Sequence, residues 1–488
     1  MEWFTPWFSA SGYELSRLVL QRALAAVYLV AFFSAAMQFR ALLGQNGLLP
    51  AASFVRRVPF RASPSLFHWR CDDRVTGACA WGGVALAAAV VAGAADAVPL
   101  WASMVMWALL WVLYLSFVNV GQIFYGFGWE SLLLEAGFLA IFLGNARTAP
   151  PVLTLWLMRW LLFRVEFGAG LIKWRGDQCW RDLTCLYYHH ETQPMPSPLS
   201  WYFHHLSRPL HRIEVAANHV AQLIVPFGLF FPQPVASVAA GLIILTQLWL
   251  VLSGNFSWLN WLTIVLAFAA VDTSALSGTP SYGPAPLWFA LVVCVAALLI
   301  VVLSYWPARN LVSRKQQMNR SFNALHLVNT YGAFGSVTRV RQEIVLEGTD
   351  DERLTADTEW REYEFKGKPG NVRRLPRQFA PYHLRLDWQM WFAALSPAYT
   401  RGWFEPLVER LLVNDRPTLR LLRTNPFPEH PPTHVRALLY RYRFTTPQER
   451  RETGAWWHRT FVREFLPPVH VSGELGSPPG RGGRGPGA

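Results

Sequence analysis

The first 306 residues of the chain consist of long apolar runs separated by shorter polar connections. A run of about twenty apolar residues is long enough to cross a bilayer as a helix. The pattern predicts about nine such spans, near residues 18–39, 78–98, 100–120, 129–145, 151–172, 213–232, 235–253, 256–272 and 286–306. Residues 1–306 are therefore predicted to form an α-helical multi-pass membrane bundle.

The pattern changes after residue 306, where apolar and polar residues alternate with the period of a β-strand. Three short strands and two helices are predicted, at residues 337–348, 360–365, 437–446, 384–394 and 404–413. We therefore expect a smaller α/β extramembrane domain over residues 307–471. Residues 472–488 are rich in Gly, Pro and Arg, which predicts a disordered tail.

The composition agrees with a membrane protein. Hydrophobic residues make up 52% of the chain and charged residues only 15%, and the mean hydropathy is +0.19. The 24 Trp residues suit a chain that crosses the water–lipid boundary repeatedly, because Trp favours that zone. The net charge is +13, and most of this excess lies after residue 306. Basic residues that flank membrane segments explain it better than nucleic-acid binding, so we expect membrane lipids as partners and no nucleic acid.

The distribution of Lys and Arg among the connections predicts a topology. With about nine spans, the loops at 40–77 and 173–212 and the region after residue 306 share one side of the membrane, and all three are rich in Lys and Arg. The connections on the opposite side contain only Arg17 and Arg147. Charge alone therefore predicts that the two large loops and the C-terminal region lie in the cytoplasm.

The loop at 173–212 contains the side chains that are most capable of catalysis, metal binding or disulfide formation. Cys179 and Cys185 are separated by five residues. They form a disulfide only on an oxidising face of the membrane, which conflicts with the cytoplasmic prediction. Zinc binding together with nearby histidines is a second interpretation, although the spacing is not the usual two-residue gap. Unpaired structural thiols are the third, and the sequence leaves the choice open.

The same loop contains His189, His190 and Glu191, followed by His204, His205 and His211. Imidazoles near a carboxylate bind metals, carry protons or act as general acid and base, because their pKa lies near neutrality. Adjacent histidines usually point in different directions, however, and such residues commonly anchor an interfacial loop. We therefore assign no catalytic residue, metal or cofactor. His189, His190 and Glu191 are kept only as catalytic candidates.

Several ionisable residues fall inside predicted spans, among them Arg22, Glu135, Arg159, Arg164, Glu166 and His219. Such groups are costly in hydrocarbon and usually face a partner or a water-filled cavity. Arg159 and Glu166 lie seven residues apart, hence on one face of the fifth span, and Glu135 on the fourth span is a plausible partner for either arginine. The default prediction is interhelical ion pairing. A substrate or proton pathway, in which Glu135 and Glu166 act, is the alternative.

Several motifs together resemble the lipase maturation factor family. In chain order they are NVGQIFYGFGWESLLLEAGFLAIFL (119–143), the block at 159–205, SGNFSWLNWLTI (253–264), NTYGAFGSVTRVRQEIVLEGT (329–349) and PYHLRLDWQMWFAAL (381–395). The resemblance covers almost the whole chain except the tail. A fainter similarity of the membrane half points to the vitamin K-dependent carboxylase and related multi-spanning proteins.

The resemblance implies a multi-pass protein of the endoplasmic reticulum membrane, needed for lipases to fold and assemble into active enzymes. This role is chaperone-like rather than catalytic. It also implies a lumenal C-terminal domain that contacts the client, with Trp391, Trp403 and Phe404 as candidate contact residues. High Ala and Arg usage and the Gly/Arg-rich tail suggest a bacterial member, which would lie in the inner membrane and whose client need not be a lipase.

An integral membrane enzyme or transporter remains the alternative function. It would act on a lipid-like or peptide substrate through the 173–212 loop and the intramembrane Glu and Arg residues. The two hypotheses differ in one geometric respect. Convergence of these side chains on an open cavity favours the enzyme or transporter, whereas closed ion pairs favour the maturation factor.

Overall fold

The computed structural model describes residues 8–277, 282 and 285–470. The predicted tail, residues 472–488, lies outside the described residues. The helices up to residue 312 are α1 (Glu14–Leu43), α2 (Ala51–Arg57), α3 (Asp73–Ala92), α4 (Ala94–Ala97), α5 (Leu100–Val120), α6 (Gly128–Ala140), α7 (Val152–Arg175), α8 (Gln178–Arg181), α9 (Leu186–Thr192), α10 (Ser200–His204), α11 (Arg208–Leu223), α12 (Val235–Ser253), α13 (Leu259–Ala267), α14 (Ser274–Ser277), α15 (Leu287–Leu303) and α16 (Tyr305–Val312).

Six helical segments in the described residues are long and apolar enough to cross a membrane. They are Glu14–Leu43, Asp73–Ala92, Leu100–Val120, Arg208–Phe230, Val235–Ser253 and Leu287–Val312. Each of them coincides with one of the predicted spans. The bundle is thus helical and membrane-embedded, but the predicted number of about nine spans is not confirmed.

The other three predicted spans are helices of a different character. Helix α6 has only 13 residues, or about 20 Å, against a hydrocarbon core of about 30 Å. Helix α13 is a similarly short apolar helix, prolonged by the turn Phe268–Ala270. Helix α7 is long enough, with 24 residues, but carries buried arginines and a glutamate on its inner faces. These helices pack among other helices, so neither their length nor their composition is set by contact with lipid.

After residue 312 the chain forms a four-stranded antiparallel sheet and further helices. The strands are β1 (Arg341–Thr349), β2 (Arg361–Tyr363), β3 (His434–Phe444) and β4 (Trp457–His470), in the order β2-β1-β3-β4. The helices of this region are α17 (Arg385–Leu395), α18 (Phe404–Leu412), α19 (Arg416–Leu419) and α20 (Pro447–Thr453). Strands β1 to β3 and helices α17 and α18 confirm the predicted elements. Strand β4 was missed because its two prolines argue against a strand; such residues are tolerated here, at the edge of the sheet.

The sheet region and the helical bundle share one hydrophobic core. Helix α17 packs against β1 on one side and reaches the bundle on the other. Just before α17, the carbonyl oxygen of His383 accepts hydrogen bonds from Ser34 and Gln38 of α1, at 3.1 and 2.6 Å. The sheet therefore rests directly on the ends of the bundle helices.

Two adjacent glycines of α3 differ in the space around them, because only one of them packs against α1. A Cβ atom added to Gly83 would lie 2.4 Å from the ring of Phe32 on α1, whereas one added to Gly82 would meet nothing within 4 Å. We expect Gly83→Ala to destabilise the protein by about 1–3 kcal/mol through overpacking. Gly82→Ala should be neutral or gain up to about 1 kcal/mol from helix propensity. Melting temperatures in detergent measure both, and equal midpoints for the two variants would contradict this packing.

Candidate functional site

The loop at 173–212 folds into the three short helices α8, α9 and α10 between α7 and α11. Cys179 and Cys185 form a disulfide, with their Cα atoms 4.8 Å apart, within the usual range for this bond. Both are buried in a small apolar cluster with Trp180. The zinc interpretation of the two cysteines finds no support, because their sulfur atoms are bonded to each other.

The three catalytic candidates of the loop, His189, His190 and Glu191, contact different parts of the protein. His189 lies against the rings of Phe256 and Phe334. His190 is buried, and neither of its ring nitrogens has a hydrogen-bond partner. Burial lowers the pKa of both imidazoles to about 3, so both are neutral at pH 7.

Glu191 connects the loop to the sheet. Its carboxylate accepts a hydrogen bond from the backbone N–H of Phe444 on β3, at 2.7 Å. Burial raises the pKa of Glu191 above its usual value. From the sheet side, the fully buried guanidinium of Arg341 donates to the carbonyl oxygens of Glu191, Gln193 and Pro194. We call this set of contacts the loop–sheet junction.

Glu135 and Arg164 form the buried ion pair that the sequence predicted as one of two options. The pair joins α6 to α7, and both side chains are essentially inaccessible. Glu135 also accepts hydrogen bonds from the backbone N–H of Asn329, at 3.1 Å, and from the hydroxyl of Tyr331, at 2.8 Å. Arg164 in turn donates to the carbonyl oxygen of Asn329, at 2.7 Å. The segment that follows α16 is thereby drawn into the bundle.

Arg159 and Glu166 take no part in ion pairs among the described residues, so Arg164, and not Arg159, is the arginine that pairs with Glu135. Seven residues place them on one face of α7 but about 10 Å apart along its axis, too far for direct contact. Arg159 donates instead to the carbonyl oxygens of Ala269 and Leu229, at 2.9 and 3.3 Å. Glu166 accepts a hydrogen bond from Gln247 of α12, at 2.6 Å.

A second buried charge network was missed by the sequence analysis. Glu130, at the start of α6, accepts from Arg385 of α17 at 2.6 Å and lies 3.2 Å from Nδ1 of His383. The hydroxyl of Tyr114 on α5 donates to the other carboxylate oxygen. Glu130, His383 and Arg385 come from two of the motifs that carry the family resemblance, and the ionisable character of these three residues was the available signal.

The candidate client contacts are mostly inside the protein. Trp403 and Phe404 are 0% and 4% exposed, so neither offers surface to a client, and this prediction is wrong. Both rings fill the core on which the sheet packs. Trp391 is half-buried, and its ring nitrogen donates to the carbonyl oxygen of Thr192 at 3.2 Å.

The polar candidates Glu135, Arg164, Glu166 and Glu191 do not converge on one open cavity. Glu135 and Arg164 form a closed pair, Glu166 is bonded to an amide, and Glu191 is bonded to the sheet. Closed pairing was the outcome that disfavours an enzyme or transporter. The arrangement therefore supports a structural role for these charges.

Family models and curated relatives that match this chain all carry the same family name. A family model described as "Lipase maturation factor transmembrane domain" matches residues 15–278, and one described as "Lipase maturation factor C-terminal domain" matches residues 327–467. Lipase maturation factor 1 of Bos taurus is 41% identical over 94% of this chain and 90% of its own length. The Homo sapiens protein of that name is also 41% identical, over 94% and 88%. Lipase maturation factor 2 of Homo sapiens is 31% identical, over 94% and 83%. No solved structure matches.

The Glu135–Arg164 pair gives a direct test of the site. Glu135→Ala leaves a buried arginine without its carboxylate, so we expect a loss of about 3–5 kcal/mol of stability. The melting temperature in detergent measures this loss. Arg40→Gln is the control, because the Arg40 side chain remains largely exposed in its pair with Asp73 and pairs with an exposed partner contribute little. Equal melting temperatures for the two variants would contradict the assigned role of the buried pair.

Proposed function

The chain belongs to the lipase maturation factor family, and we propose that it is a membrane-bound maturation factor with chaperone-like action on the folding and assembly of lipases or other secreted hydrolases. The observation that carries the proposal is that both family regions are present and packed into a single core. The closed ion pairs give the bundle a supporting role. No cofactor is needed for such an activity.

The client-handling region in this proposal is the α/β domain at about 307–471, held against the bundle. It would present its surface to an unfolded or partly assembled client, while the helices anchor it in the membrane. Of the three aromatic contact candidates, Trp391 is the one that keeps exposed surface. The anchoring membrane is the endoplasmic reticulum in a eukaryotic cell and the inner membrane in a bacterium.

The loop–sheet junction supports a definite topology. Residues 173–212 and the sheet touch each other at Glu191 and Phe444, so both lie on one side of the membrane. An even number of crossings must then separate residue 212 from residue 307. The long apolar helices in this stretch number three, and the short helix α13 supplies a fourth crossing. Counting α6 and α7 in the same way restores the predicted total of about nine spans.

The disulfide supports the side of the membrane. A disulfide persists in the endoplasmic reticulum lumen or the periplasm and is rare in the cytosol. We therefore propose that the loop and the α/β domain face the oxidising compartment. This reverses the prediction from charge and agrees with the lumenal C-terminal domain that the family resemblance implies. The basic residues of these segments then reflect contact with the domain's own carboxylates and with lipid headgroups.

Co-expression with a secreted homodimeric lipase tests the function. In cells that lack their own maturation factor, the chain should raise the activity of the secreted lipase at equal lipase mass. Arg341→Met should abolish most of this gain, because it removes the donors of the loop–sheet junction. The exposed substitution Glu452→Gln is the control. Equal lipase activity with and without the intact chain would contradict the proposal.

Thiol labelling tests the proposed topology. In a variant with Cys71, Cys79 and Cys294 replaced by Ser, the remaining cysteines should react with a maleimide only after reduction. The reagent should reach them from the lumenal or periplasmic side of sealed vesicles, because the disulfide and the domain share that side. Reaction of Cys179 without reductant, or labelling from the cytoplasmic side alone, would contradict the proposed orientation.

A further inference from the structure

A cluster of three potential ligands lies between α9 and α11. It consists of His190 on α9 and of His211 and Glu214 on α11. One ligand atom from each of the three lies within 4.8 Å of the others. Both histidines are almost completely buried, at 1% and 2% exposure. Neither the ion pairs of the bundle nor the loop–sheet junction uses any of these side chains.

The cluster leaves an unusual number of polar atoms without partners. Both ring nitrogens of His190, Nδ1 of His211 and Oε2 of Glu214 are buried and have no hydrogen-bond partner. Buried polar atoms are nearly always paired, so such a group needs an explanation. The distance from Nδ1 of His211 to Oε2 of Glu214 is 3.9 Å. This is too long for a hydrogen bond but suits two ligands that share one ion.

The surrounding contacts aim the free atoms of α11 into the cluster. Nε2 of His211 lies 3.3 Å from the carbonyl oxygen of His204, which can only accept. Nε2 therefore carries the proton, and Nδ1 presents its lone pair to His190 and Glu214. The indole N–H of Trp249 donates to Oε1 of Glu214 at 2.7 Å, which turns Oε2 the same way. Metal-binding His and Glu residues are typically held by such outer partners.

We propose that His190, His211 and Glu214 bind a divalent transition-metal ion, for which Zn²⁺ fits best. Two imidazoles and one carboxylate form a known zinc donor set, with the fourth position left to water. Ca²⁺ and Mg²⁺ are disfavoured because they prefer oxygen ligands throughout. Ligand atoms of a tetrahedral zinc ion lie about 3.3 Å apart. The side chains therefore need to close by small rotations when the ion binds.

The position of the cluster suggests what the ion does. His190 directly precedes Glu191, whose carboxylate accepts from the backbone of β3. An ion held by His190 and by two residues of α11 would fix α9 to the start of a membrane-spanning segment. Helix α9 would then be held on one side by the metal and on the other by the sheet. The ion thereby strengthens the attachment of the α/β domain to the bundle.

Metal content of the full-length protein in detergent tests the proposal. After chelator treatment and dialysis against Zn²⁺, elemental analysis should find about one Zn²⁺ per chain. His190→Gln and Glu214→Gln should lose this zinc. Trp249→Phe should bind it about 10- to 100-fold more weakly, because it removes only the outer partner of Glu214. The control is His205→Gln, whose imidazole belongs to the same loop but is bonded to the carbonyl oxygen of Trp201.

Thermal unfolding with Zn²⁺ and with chelator provides the second measurement. Zn²⁺ should raise the melting temperature of the wild-type protein and of His205→Gln, and leave that of Glu214→Gln unchanged. Monodispersity in gel filtration identifies the variants that remain folded. The proposal is overturned if the wild-type protein takes up no zinc beyond the dialysis buffer. It is equally overturned if folded Glu214→Gln and Trp249→Phe bind zinc as tightly as the wild-type protein.

Discussion

A charge placed inside the helical bundle must find its partner within the protein, and the fold is organised around this constraint. An isolated carboxylate in a low-dielectric interior is very unfavourable. Glu135 is therefore surrounded by the guanidinium of Arg164, the amide of Asn329 and the hydroxyl of Tyr331. Because two of these partners come from the segment after the last span, the charge on α6 determines where the chain re-enters the bundle. The contacts of Glu135 with Asn329 and Tyr331 thus fix the path of the chain at the start of the C-terminal region.

The same principle operates at the base of the sheet. Glu130 of α6 binds Arg385 of α17, and Arg341 of β1 binds backbone carbonyls of the 173–212 loop. Each contact joins a buried charge of one region to polar groups of the other. The helical bundle and the α/β domain are thereby joined at three places.

Hydropathy located the lipid-facing helices because their apolar surface is a local property of the sequence. The sequence analysis offered an arginine of the next span as a partner of Glu135, but it missed Tyr331, which is 196 residues away. The sequence also left open whether Arg159 or Arg164 pairs with Glu135; Arg164 does, and Arg159 donates to backbone carbonyl oxygens instead. The cluster of His190, His211 and Glu214 was also overlooked, although the three-residue spacing of His211 and Glu214 on one helix was a usable signal. Trp403 and Phe404 show that aromatic content alone does not distinguish core from surface.

The central claim is that the bundle and the α/β domain form one cooperative unit held by buried charge contacts. Hydrogen exchange at the amides of Asn329 and Phe444 tests it most directly, because they donate to the carboxylates of Glu135 and Glu191 at two of these three places. The account predicts that both amides are strongly protected and that Glu135→Ala weakens the protection of both. Persistent protection of Phe444 when Asn329 exchanges freely would contradict it, because the domain would then be stable independently of the bundle.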